Sequence, residues 1–135
     1  MSEAKVPVAR PLSPHLSIYR PMLSMMMSIV HRITGAALYL GTLLLAAWLV
    51  AAANGEQSFA LVNGLFAHPI GKLVLVAYTW ALLQHLLGGM RHLLWDTGRG
   101  LHIWQVNALS WLTILGSIAL TLAVWAIGLH LNGVL

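Results

Sequence analysis

The sequence contains no cysteine. Disulfides, thiolate catalysis and iron–sulfur ligation by this chain are therefore excluded. Charge is nearly as scarce: Asp, Glu, Lys and Arg make up 7% of the residues, where a soluble domain carries roughly 25%. Only three residues are acidic, against seven Lys and Arg. The resulting formal charge of +4 and pI near 10.2 would suit nucleic acid, but the basic residues form no patch on a polar domain. They flank apolar runs and act as topology signals, so no nucleic-acid partner is expected. Residues before Met22 contain no apolar core but do contain Pro7, Pro11 and Pro14. They are not expected to form a cleavable leader, and Glu3 with the prolines argues against an amphipathic transit peptide. No internal repeat is visible.

What the chain has in excess is apolar side chain, 59% of 135 residues. So short a chain cannot hide that surface inside a water-soluble globule, and lipid is its natural solvent. The expected fold is an all-α membrane protein with three transmembrane helices and an N-terminal interfacial arm or helix. Residues 1–21, punctuated by Pro7, Pro11, Pro14 and Pro21, are expected to form a surface arm. Residues 22–135 are expected to form a single transmembrane domain, with spans at about 28–53, 69–95 and 104–130. Residues 22–32 are expected to make an interfacial helical entry, and Ile33–Ala53 is the first run free of charge. Asn54 to Ser58 reads as a polar turn and Phe59 to Phe66 as an apolar loop along the interface. Pro69 suits a helical first turn, and Trp104 and Trp111 suit interface anchors. Three spans would put Lys5, Arg10, Arg20, Arg32, Arg91 and Arg99 on one side and Lys72 alone on the other. The first side should be cytoplasmic, or matrix in a mitochondrion.

His85 is the residue that most needs a reason. If the inner boundary lies near Arg91, His85 sits about 9 Å deeper in hydrocarbon. An ionisable residue there marks a functional site by default, and neutral imidazole is a common haem-iron ligand. An interhelical hydrogen bond explains it equally well. Ala81, His85, Gly88, Gly89, His92 and Asp96 share one helix face. The glycines there leave room for a flat macrocycle, or let two helices approach closely. Ser28, His31 and Arg32 form a second cluster, and Arg91, His92 and Asp96 occupy the matching end of the second span. Such a basic cluster could neutralise haem propionates, or could simply anchor the positive side. His15, His68, His102 and His130 read as solvated or interfacial. A membrane b-type haem usually takes two axial ligands, and this chain offers one deep histidine. His92 shares a straight helix with His85, so both cannot reach iron from opposite faces. A partner subunit in a heteromeric bundle is implied.

Three segments resemble a known family. Arg10 to Tyr19 (RPLSPHLSIY) and Ser28 to Gly35 (SIVHRITG) resemble the two N-terminal signatures of the succinate dehydrogenase cytochrome b556 subunits. His85, with Gly89-Met90-Arg91-His92-Leu93 and Asp96, is similar to their haem-helix motif. The matches run in order over nearly the whole chain, the third span matching only as an apolar helix. The resemblance implies a haem b shared with a second small membrane anchor subunit, His85 being one axial ligand. It implies ubiquinone as substrate, with Ser28 and Arg32 lining its site beside an iron–sulfur subunit. His31 would lie near the haem propionates, with Arg91 and His92 as neighbours, and Asp96 would belong to a polar network at the quinone end. A flavoprotein subunit would oxidise succinate, so this chain would carry electron transfer and no succinate chemistry. A bacterial inner membrane is the expected location, a mitochondrial inner membrane the alternative. A haem-free structural anchor, a fumarate reductase anchor using menaquinol and a small transporter remain as other readings; the transporter is disfavoured because proton relays need a chain of ionisable groups.

Overall fold

The computed structural model describes residues 18–131. His15, Lys5, Arg10 and most of the expected surface arm lie outside the described residues. The order of elements is α1 (Leu23–Ala53), α2 (Glu56–Ala67), α3 (Pro69–Asp96) and α4 (Ile103–Leu131). α1, α3 and α4 hold 31, 28 and 29 residues and are long and apolar enough to cross a membrane. At 1.5 Å per residue each exceeds the roughly 30 Å of a hydrocarbon core. The fold is thus a helical membrane bundle, with α3 in the middle, packed against both α1 and α4.

One segment agrees with expectation and one differs. The helical entry expected over residues 22–32 is continuous with the first span, since α1 runs unbroken from Leu23. The stretch from Phe59 to Phe66, expected as a loop, is part of helix α2. Glu56 in its first turn complements the helix dipole. Its face is fastened to α1 by a hydrogen bond from Trp48 Nε1 to Asn63 Oδ1 at 3.1 Å, with Phe59 tilted against the Trp48 ring. His68 then ends α2 and begins α3: its Nδ1 accepts from the Ile70 N–H at 3.3 Å, and Pro69 takes the first turn, where its missing N–H costs nothing. After Asp96 the chain turns through Gly98 and Gly100, both at positive φ (74° and 75°), a region that side chains with a Cβ avoid. Trp95 Nε1 closes this turn on the Gly100 carbonyl at 3.1 Å.

The interior inverts the soluble pattern. Among the described residues the buried apolar side chains are Met27, Ala51 and Ala81, whereas Thr34, Gln84, Arg91, Ser110, Thr113, Ser117 and Thr121 are buried and polar. Large apolar residues such as Leu86, Leu93 and Leu112 face outward. In lipid no hydrophobic force separates Leu from its surroundings, so helices meet through small residues and hydrogen bonds. Close approach follows: a Cβ on Gly41 would overlap the Tyr78 ring, and one on Gly88 would come within 2.6 Å of His31 Nδ1.

Candidate functional site

Near the Arg91 end of the bundle, α1 meets α3 through histidines. The rings of His31 and His85 stack in parallel, with centroids 3.9 Å apart and planes within 4°. His92, two turns beyond His85 on the same face, tilts against His31 at 5.1 Å. Its other side meets Trp95 edge-on at 5.2 Å. Two glycines make this possible. Gly88 gives His31 its place against α3, and Gly35 does so for His85, whose Cε1 would lie 3.0 Å from a Cβ there. Gly89 is different, since a Cβ there would meet nothing within 4 Å. Of the two roles open to the glycine pair, Gly88 serves helix approach and Gly89 borders free space.

The protonation of His85 follows from its neighbours. Its Nδ1 lies 3.1 Å from the His31 carbonyl oxygen and 3.3 Å from Thr34 Oγ1. A carbonyl can only accept, so Nδ1 carries the proton and donates. The Thr34 hydroxyl spends its single proton on the Val30 and His31 carbonyls, at 2.9 and 3.0 Å, leaving its lone pairs for Nδ1. Among the described residues nothing hydrogen-bonds Nε2, and it is not enclosed. An imidazole with one N–H anchored on a backbone oxygen and, among the described residues, no partner at its second nitrogen has the form of a metal ligand. The three imidazoles themselves do not converge on a point: among the described residues no group of three or more His, Cys, Asp or Glu could hold an ion.

The other candidate residues divide between two faces. Ser28 is half-buried and Arg32 exposed on α1, in the same stretch as His31, and Asp96 is exposed at the end of α3. Arg91 is directed elsewhere. It is 4% exposed, donates from a terminal guanidinium nitrogen to Ser110 Oγ on α4 at 3.0 Å, and lies 4.9 Å over the Trp95 ring. Six residues past His85, it is about 240° round the helix, so a shared end of the span does not mean a shared face. His68 and His102 lie in the connections and His130 in the last turn of α4, all exposed.

Sequence reasoning missed Thr34 and the polar seam of α4. Ser110, Thr113, Ser117 and Thr121 recur at helical spacing and are all buried against the bundle. Ser117 donates to Gln84 Oε1 at 2.6 Å, and Trp125 Nε1 donates to Thr79 Oγ1 at 3.3 Å. The hydroxyl periodicity was the available signal. A separate apolar cavity of about 310 Å³, between Gly41, Trp48, Asn63, Phe66 and Tyr78, contains no histidine and stands apart from this cluster.

Comparison with known proteins agrees with this architecture. Residues 7–124 match the family model described as succinate dehydrogenase/fumarate reductase transmembrane subunit. The chain is 45% identical over 111 residues to a succinate dehydrogenase cytochrome b556 subunit of Paracoccus denitrificans, covering 82% of this chain and 85% of that one. A cytochrome b556 subunit of Rickettsia typhi is 40% identical over 116 residues, 86% of this chain and 90% of its own. The mitochondrial cytochrome b560 subunit of Sus scrofa is 41% identical, over 82% of this chain and 69% of its own. Three apolar crossing helices and a match over most of the sequence place the chain in the succinate dehydrogenase/fumarate reductase transmembrane subunit family.

Proposed function

We propose that the chain is the cytochrome b membrane anchor of a succinate:quinone oxidoreductase. The observation that carries this is the bonding of His85: Nδ1 is tied to the His31 carbonyl, and among the described residues Nε2 has no hydrogen-bond partner. The relatives named cytochrome b556 subunits support haem b as the group to be held. The residues fit it. His85 would hold it through Nε2, and Gly89 borders free space one turn away. A second small membrane anchor subunit would supply the other ligand. His31, stacked on His85, and His92, tilted against His31, would be the neighbours of the propionates. Arg91, held by Ser110, is the less direct neighbour and contributes its charge from the α3–α4 side. When bound, the haem supplies one-electron storage beside the quinone.

Ser28 and Arg32 line the quinone site in this reading. The Ser28 hydroxyl donates to a quinone oxygen, and the exposed Arg32 guanidinium stabilises negative charge as the quinone is reduced. Asp96 belongs to the polar rim of the same end. Succinate is oxidised in a flavoprotein subunit, and an iron–sulfur subunit docks over Ser28 and Arg32 and passes on the electrons. Ubiquinone is the substrate. The excess of Lys and Arg at the Arg32 and Arg91 ends orients the N-terminus to the cytoplasm of a bacterial inner membrane.

One observation favours a haem-free anchor instead: His85 already bridges α1 and α3 by hydrogen bonds. A reduced-minus-oxidised spectrum of the purified complex, with its subunits identified by mass, decides between them. The cytochrome reading expects a b-type band in proportion to the anchor subunits; a spectrum of flavin and iron–sulfur centres alone supports the bare anchor. Extraction of the bound quinone separates ubiquinone from the menaquinol expected of a fumarate reductase.

A further inference from the structure

We infer that Thr34 is a positioning residue that sets the electron-donating strength of His85, and through it the reduction potential of the haem; this rests on the cytochrome reading above. Thr34 is 2% exposed and lies on α1, opposite His85 on α3. Its hydroxyl makes three short approaches, to the Val30 and His31 carbonyls and to His85 Nδ1. The first two absorb its only proton, so toward His85 it can act only as an acceptor. The His85 N–H is thus shared between two oxygens, Thr34 Oγ1 at 3.3 Å and the His31 carbonyl at 3.1 Å. Both pull the proton away from the ring and make Nε2 a stronger donor. Hydrogen bonding of this kind fixes a ligand histidine's tautomer and raises its basicity. A more basic axial ligand favours the ferric over the ferrous iron and lowers the potential.

The two oxygens have separable parts. The carbonyl belongs to the helix backbone and survives every substitution, whereas the hydroxyl can be removed alone. Valine has nearly the shape of threonine, and the two carbonyls that lose the hydroxyl keep their helical N–H partners. Thr34→Val therefore leaves packing close to intact and takes away one of the two acceptors.

The test is an equilibrium redox titration of the haem in the whole purified complex, unsubstituted and with Thr34→Val and Thr34→Ser. Thr34→Val is expected to keep its haem and shift the ferrous-to-ferric ratio at fixed potential about threefold toward ferrous, a rise of roughly 28 mV for a one-electron couple. Thr34→Ser, which restores the acceptor, is expected to return the unsubstituted value. A haem-replete Thr34→Val complex with an unchanged potential overturns the role of Thr34 and leaves the cytochrome reading standing. An unsubstituted complex without haem overturns both. Should Thr34→Val assemble without haem, Thr34→Ser decides: normal haem and potential uphold the role, and haem loss there as well overturns it.

Discussion

The two faces of α3 are both polar and do opposite things. Toward α4, Gln84 meets Ser117 and Arg91 meets Ser110, so hydroxyls and their partners close on each other inside the bundle. Toward α1, the histidines stack, and among the described residues His85 is anchored at one nitrogen only and His31 Nδ1 is buried without a partner. Buried polar groups in a membrane protein are expensive when unpaired. The α4 seam closes largely on itself, with Arg91 Nε its buried atom without a partner among the described residues, and is structural. What sets the α1 face apart is His85 Nε2, which has no partner among the described residues and, in the proposed reading, binds a group from outside the chain. The difference lies less in which residues are polar than in which polar atoms remain open.

That contrast can be broken or sharpened by substitution. The largest effect is expected from His85→Ala, which removes the open nitrogen: haem absorbance in the purified complex falls at least tenfold, while succinate oxidation with an artificial acceptor is retained. Arg32→Ala comes next. Removing a donor that stabilises developing charge costs on the order of 10²-fold, so quinone reduction should fall by about that factor. Succinate oxidation by an artificial acceptor serves as the control; an equal loss of both activities would count against a role at the quinone.

Gly88→Ala tests the stack itself. The added methyl lands 2.6 Å from His31 Nδ1, so the ring must move or the helices part. Overpacking of this kind costs about 1–3 kcal/mol. A lower thermal midpoint of the complex and a reduced haem-to-protein ratio are expected, and a complex indistinguishable from the parent would show that the close contact carries no weight. The smallest effect is expected in the seam. Ser117→Ala deletes the bond to Gln84, and interhelical hydrogen bonds in membranes average about 0.6 kcal/mol. Its haem spectrum and quinone activity should match those of the unsubstituted complex. A loss of haem in this variant would erase the distinction between the two faces.

The three crossing helices were legible because each is an apolar run of spanning length, and lipid imposes that length. His85 was legible because an imidazole in such a run has few reasons to be there, and its stripe with Gly88, Gly89 and His92 follows helical spacing. α2 was not. Gln57, Ser58, Asn63 and Gly64 interrupt its apolar pattern, and the helix buries no residue, so no single face marks it in sequence. The α4 seam was passed over because Ser and Thr sit quietly in apolar helices, where their hydroxyls bond back to the preceding turn, as Ser110, Thr113 and Thr121 do. Thr34 hid for the same reason. The direction of Arg91 was missed because proximity to the membrane boundary was weighed above its angle about the helix axis.

The account stands or falls on whether iron is bound through His85. The most direct measurement is low-temperature electron paramagnetic resonance of the oxidised complex, unsubstituted and with His85→Met. A two-histidine low-spin signal in the first, replaced by a different axial signature or lost in the second, is the predicted result. The same two-histidine signal at full intensity in both would contradict it.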